Sequence, residues 1–151
     1  KQFTGYILKS AWVEATAVQT KYSEVTFPDL PMTFNQPIPG SFAMSPAYTV
    51  KNSGNVPLNI KPTSVSDTNA NVTLVESLFE PNKQQVSLSL HGTSKTDSHD
   101  WNFKNLDANT LIISPYFTDS NYINYNIKGN YSGPLIGIQN VKYAVTFGWF
   151  Q

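Results

Sequence analysis

Residues 141–150 read VKYAVTFGWF, with Val141, Tyr143, Val145, Phe147 and Trp149 on one side of a two-residue repeat. At 3.6 residues per helical turn those side chains would scatter around the axis, whereas a pleated strand lines them on one face. The run therefore predicts a strand with one deeply buried face. The stretch INYNIKGNY, 123–131, sets Ile123, Tyr125, Ile127, Gly129 and Tyr131 against Asn124, Asn126, Lys128 and Asn130. Its polar side is suited to water, as in an antiparallel sheet with one solvated face.

Further strands are predicted at VTLVESLF (72–79), QVSLSL (85–90) and TLIISPYF (110–117), each rich in β-branched or aromatic residues and bounded by turn formers. YTVKNSGNVPLNI, 48–60, reads as a hairpin. Gly54 supplies the positive φ of its turn, and Pro57 places the second arm at an edge or bulge. The 10 prolines run from Pro28 to Pro134 and leave no room for a long helix after residue 27. Upstream, YILKSAWVEATAVQTKY has no helix cap before Tyr6 and many Thr, Val and aromatic residues, so a long strand is expected. The expected fold is all-β, an antiparallel, jelly-roll-like β-sandwich over 19–151 preceded by a long N-terminal strand, 1–18. A chain of 151 residues buries about two thirds of its unfolded surface and needs no disulfide or metal to hold one core.

Charged residues make up only 13% of the chain and the formal net charge is zero, so Asn, Ser and Thr carry the solubility. All 10 cationic side chains are lysines, spread singly, with no arginine. Nucleic-acid binding needs several cations on one face and usually the guanidinium fork, so it is excluded as a function class. The absence of Cys removes disulfide, thiolate-zinc and Cys-nucleophile chemistry. No apolar run approaches the ~20 residues of a membrane-spanning helix. The start at Lys1 without Met suggests a processed or trimmed N-terminus, which is compatible with secretion.

Catalytic signatures are weak. The histidines are His91 and His99 and the glutamates Glu14, Glu24, Glu76 and Glu80; neither HExxH nor GxSxG occurs. Ser94, Ser98 and His99 are close in sequence, but adjacency is not triad geometry. Glu76 and Glu80 are candidates for a glycosidase pair only by elimination. The stretch KTDSHDWNFKNLD offers Asp97, Asp100, Asp107, Asn102 and Asn105 as oxygen donors for calcium. It lacks the EF-hand spacing and central Gly, and a solvated loop is the better account. No cofactor is expected, with calcium as the alternative. Trp12, Trp101 and Trp149, like most of the aromatics, read as core by default, with partial exposure, as stacking platforms for sugar rings, left open for the Tyr122, Tyr125 and Tyr131 group. Two sequons, Asn71-Val72-Thr73 and Asn130-Tyr131-Ser132, are possible glycosylation sites, near the number chance gives in so Thr/Ser/Asn-rich a chain.

The segment PGSFAMSPAYTVKNSGNVPLNIKPTSV, with Pro39-Gly40, the strand Tyr48 to Asn52, the Ser53-Gly54-Asn55 turn and the apolar arm Val56 to Ile60, resembles the central strands of the TasA and camelysin type of secreted filament subunits. Their archaeal relatives form bundling pili, threads and cannulae. The strand with Tyr143, Val145, Phe147 and Trp149 also looks like that family's closing strand. Wall-binding WxL-type sandwiches share the hairpin, but no WxL pair closes this chain, which ends Trp149-Phe150-Gln151.

The resemblance implies a structural subunit of an extracellular, cell-surface filament or tubule, without catalysis. It would join copies of itself by donating its N-terminal strand to an open sheet edge of the next subunit, with other cell-surface components as further partners. Residues 1–18 are proline-free, and Ile7, Ala11, Val13 and Ala15 would fill the acceptor groove. Equally open is that residues 5–18 form the first strand of the subunit's own sheet. The alternatives are a surface-displayed carbohydrate-binding sandwich and a phage or virion structural protein.

Overall fold

In the computed structural model, residues 20–28, 43–78, 84–132 and 141–151 are described. Segment 1–18, with Ile7, Ala11, Val13 and Ala15, lies outside them, as do Glu14 and Glu80. The described residues form no helix and ten strands: β1 (Val25–Thr26), β2 (Ala43–Met44), β3 (Tyr48–Asn52), β4 (Leu58–Asp67), β5 (Thr73–Leu74), β6 (Gln85–Thr93), β7 (Ser98–Asn102), β8 (Leu111–Ile113), β9 (Tyr122–Ser132) and β10 (Tyr143–Phe150). The fold is all-β, as the two-residue periodicities predict.

The larger sheet runs β1-β3-β9-β6-β5, with β2 beside β9 and β7 beside β6. Its pairings are antiparallel except for the parallel β5-β6 pair. The smaller sheet, β10-β4-β8, is antiparallel. Inward residues of both sheets build one core: Val50, Val86, Leu88, Leu90, Trp101, Ile123 and Tyr125 from the larger, Leu58, Ile60, Leu111 and Ile113 from the smaller. The alternation in β9 fills this core with one face and presents Asn124, Asn126 and Lys128 on the other.

The predicted hairpin at 48–60 is not a hairpin. β3 pairs with β1 and β9, and β4 pairs with β10 and β8, so the intervening turn carries the chain from one sheet to the other. Asn52, fully buried, holds that corner. Its Nδ2 donates to the carbonyls of Val56 (2.7 Å) and, in β8, Ile113 (3.1 Å), while its Oδ1 accepts from the Gly54 amide (2.8 Å). Gly54 is required by proximity rather than by a positive φ. A Cβ there would lie 2.5 Å from the Tyr22 carbonyl oxygen.

Pro57 precedes β4, which is the central strand of its sheet and not an edge. Pro62 sits inside β4 where the register against β10 slips, Thr146 facing Ser64 and Phe147 facing Pro62. The extra residue, Thr63, makes a bulge that accommodates a residue unable to donate to the ladder.

Two predicted strands are much shorter than expected. Of 72–79 only Thr73–Leu74 is strand. After Val75 donates to Val86 O the chain turns away, and the Glu76 carbonyl accepts from the Ser87 hydroxyl. Of 110–117 only Leu111–Ile113 is strand, because Pro115 opens a turn closed by Thr118 N–H to Pro115 O (3.0 Å). Conversely, β7 was expected as loop. Trp101 makes it a strand: it is fully buried opposite Leu90, with its indole N–H donating to Asn109 O (3.0 Å).

Tyr125 is in the core, with Ile123 on the apolar face of its strand, whereas Tyr122 and Tyr131 are half-buried. The Tyr125 hydroxyl has no hydrogen-bond partner among the described residues, and burial pushes its pKa well up. An unsatisfied buried hydroxyl costs about 1–3 kcal/mol. Tyr125→Phe is therefore expected to raise the denaturation midpoint without changing the slope of the urea transition, a comparison that equilibrium unfolding makes directly.

Candidate functional site

Sheet edges expose unpaired N–H and C=O groups, and proteins blunt them with brevity, charge or proline. Most edges of this sandwich follow that rule. β1 and β5 have 2 residues each and β8 has 3, and β7 carries His99 and Asp100. β10 does not. Its 8 residues, YAVTFGWF, include neither charge nor proline. β4 pairs one side of it, and among the described residues no strand pairs the other.

The inward side of β10 is also less covered than the alternation predicts. Tyr143, Val145 and Phe147 are half-buried and Trp149 is 39% exposed, while Phe150, on the opposite face, is 53% exposed. Its rings meet separate parts of the larger sheet. Tyr143 meets Phe103 beyond the end of β7 (ring centroids 5.9 Å), while Phe147 meets Tyr125 of β9 (5.2 Å). Past β1, Phe27 packs on both Phe147 (5.3 Å) and Trp149 (5.8 Å), and Gln151 Nε2 donates to Ser23 Oγ (3.3 Å). An aromatic seam, Phe27–Phe147–Trp149, thus lies between the rims of the two sheets beside the open edge. Burial and the nearby Asp67 charge push the Tyr143 hydroxyl up to about 12.

Residues 20–26 approach this side of the molecule over the corner turn. Ser53 N–H donates to Glu24 O (2.8 Å) and Asn55 N–H to Tyr22 O (3.2 Å). The Asn55 side chain accepts from Tyr22 N–H and donates to Thr20 O, both at 2.8 Å. The polar knot Asn52 to Asn55 therefore serves twice, as the corner between sheets and as the berth of the N-terminal segment.

The histidines lie on β6 and β7. On the outer face of the larger sheet, His91 Nδ1–H donates to Asp100 Oδ1 (2.5 Å), leaving Nε2 to accept from the Thr93 hydroxyl (3.1 Å), and Lys128 Nζ pairs with Asp100 Oδ2 (2.5 Å). This hydroxyl–imidazole–carboxylate line resembles a nucleophilic relay only in connectivity. It lies on a sheet face, where both neighbouring strands pair with Thr93, and Lys128 neutralises Asp100. It is a cross-strand polar ladder. His99 packs edge-on against Trp101 (4.8 Å) and donates from Nε2 to Asp107 (2.8 Å). Ser94 is occupied with the Asp97 carbonyl and amide.

The aspartates considered for calcium do not converge. Asp97 faces Thr96, Asp100 faces His91 and Lys128, and Asp107 faces His99 and the Asn109 amide. Asn102 and Asn105 turn to Glu76, through its carbonyl and its Oε1 respectively. Among the described residues no group of three or more His, Asp and Glu side chains is placed to hold a metal.

Burial pushes the Asp100 carboxyl up, but hydrogen bonds and charge from Lys128 and His91 outweigh it, so its pKa lies below 3.8. A lowered folded pKa contributes stability above the unfolded value that is lost as pH falls through the folded one. Asp107 is lowered in the same direction: burial raises it, and the Asn109 amide and His99 more than compensate. Replacing Asp100 with Asn is expected to lower the melting temperature near neutral pH, with the gap to the parent closing below about pH 4. Thermal melts of both proteins across pH 2–7 check it.

No helix among the described residues is long and apolar enough to cross a membrane. No protein-family model and no curated protein matches the chain.

Proposed function

We propose that the chain is a non-catalytic structural subunit of an extracellular, cell-surface filament or tubule that self-assembles head to tail by donor-strand complementation. The observation that carries this reading is the edge of β10: long, uncharged, proline-free, flanked by a half-exposed aromatic seam and unpaired among the described residues. An extended segment adding there would gain main-chain hydrogen bonds from the edge and burial from Phe27, Phe147 and Trp149.

The donor in this reading is residues 1–18 of another copy, with Ile7, Ala11, Val13 and Ala15 entering the seam. At ~3.3 Å per residue that segment is more than long enough to run beside β10. Each subunit then gives one strand and receives one, a heterologous contact that propagates instead of closing. Electron microscopy of the purified chain tests it. The full chain should form unbranched polymers and a chain lacking residues 1–18 should stay a folded monomer. A persistent monomer from the full chain, or normal filaments from the truncated one, would sink the proposal.

A second reading, a carbohydrate-binding module, is favoured by Tyr116 and Phe117, which are 49% and 65% exposed and stand edge to face at 5.3 Å on the β8–β9 turn. Exposed rings held by a well-bonded turn suit stacking on sugars. Glycan-array binding by monomer, lost on Tyr116→Ala, would support it; a blank array would remove it.

A further inference from the structure

We propose that Asn71 is a glycan acceptor, and that the attached glycan covers the β5 edge of the larger sheet. The two sequons differ sharply in their surroundings. Asn71 lies in the turn before β5 with φ 64°, a left-handed conformation that Asn tolerates better than most residues. It is exposed, and its backbone is anchored by Gln84 Nε2 donating to its carbonyl (3.1 Å), while its side-chain amide makes no hydrogen bond among the described residues. Val72 is buried, 6% exposed, and Leu74 beyond it 7% exposed. Asn71 and Thr73 are both exposed, on either side of buried Val72. Thr73 N–H is tied to Gln84 O (3.0 Å), which fixes the hydroxyl-bearing residue relative to the acceptor.

Asn130 has none of this freedom. It is half-buried inside β9, facing Ser87 of β6, and its neighbour Gly129 is paired to β6 on one side and β2 on the other. Its sequon is locked into extended backbone, with Asn130, Tyr131 and Ser132 all paired to β6.

The co-reactant is a diphosphate-activated oligosaccharide. Asn71 Nδ2 forms a bond to the anomeric carbon as the bond from that carbon to the diphosphate oxygen breaks, and the proton from Nδ2 leaves with the diphosphate. β5 is a short parallel strand on an outer edge of the larger sheet. A glycan beside it adds to the brevity that already protects this edge. This inference does not depend on assembly through β10.

The test is secretion of the full chain from a host that N-glycosylates, followed by glycopeptide mapping of both sequons. Occupancy is expected on the Asn71 peptide and to exceed that on Asn130. Thr73→Ala should abolish the Asn71 glycan and Thr73→Ser should retain it, with the fold of each checked by circular dichroism. A bare Asn71 peptide, or a glycan on Asn130 alone, in a host that glycosylates a control secreted protein, would overturn the proposal.

Discussion

Asn52→Asp is expected to remove a large part of the protein's stability at neutral pH. The amide bridges three points from a site with no solvent exposure, donating to Val56 O and Ile113 O and accepting from Gly54 N–H. A carboxylate would keep the acceptor role and turn both donations into oxygen–oxygen repulsion. Burial of an uncompensated carboxylate raises its pKa by up to 3–5 units; because the acid protonates once its pKa passes the pH, this costs about 4 kcal/mol at neutral pH, and the lost donations add about 1–3 kcal/mol, against a typical domain stability of about 5–15 kcal/mol. The sign follows: a raised folded pKa means the penalty grows as pH rises above the unfolded value and fades below it. Relative to the parent at each pH, the variant should recover toward pH 3, where the neutral acid donates one hydrogen bond. Asn52→Ala, which leaves two carbonyls without their donor, should cost about 3 kcal/mol with no such recovery. Urea titrations of the three proteins at several pH values separate these outcomes. Equal, small losses at all pH values would show that the corner is held by something other than this side chain.

The second large effect is expected at Gly129. This residue sits in β9 with φ 153°, between Leu88 of β6 and Ala43 of β2, and a Cβ there would lie 2.0 Å from the Ser87 carbonyl oxygen. The obstacle is backbone, so no rotamer change relieves it. Gly129→Ala must shift β6 or break the ladder that joins the two longest strands of the larger sheet, and it carries a strained φ besides. A loss of about 3 kcal/mol or more is expected. Gly54→Ala, which meets Tyr22 O and Glu24 N instead, should loosen only the N-terminal berth. Amide exchange of the two variants distinguishes damage to the sheet from damage to its rim.

These sites also show what the chain's letters could and could not reveal. The period-two faces of residues 123–131 and 141–150 survive as β9 and β10 because alternation is a local property that burial on one side enforces. The partner of each strand is not local. Residues 48–52 and 58–60 look like two arms of a hairpin, yet they belong to different sheets, and what separates them is the Asn52 bond to Ile113, 61 positions away. Apolar composition alone overstates strand length. Val72 to Leu74 and Leu111 to Ile113 are the portions that find a ladder or core, while Tyr116 and Phe117 are exposed on a turn. β7 was missed because SHDWN has a single apolar residue, and one fully buried Trp101 was enough to anchor it.

The candidate edge was half legible. The absence of charge and proline in YAVTFGWF is visible in the letters, but it reads equally well as a buried central strand. Only its position outside β4, with Phe27 meeting Phe147 and Trp149 at the rim, makes it an edge among the described residues. The residues proposed to fill it, Ile7, Ala11, Val13 and Ala15, lie outside the described structure and rest on the sequence alone.

Hydrogen exchange along β10 tests the central claim most directly. Amides of residues 143–150 that do not face β4 should exchange fast in the monomer lacking residues 1–18 and become protected when the full chain assembles, with Trp149 losing solvent exposure in parallel. Equal exchange of those amides in the two forms, with polymers present, would mean that the subunits join elsewhere and that the β10 edge is not the acceptor.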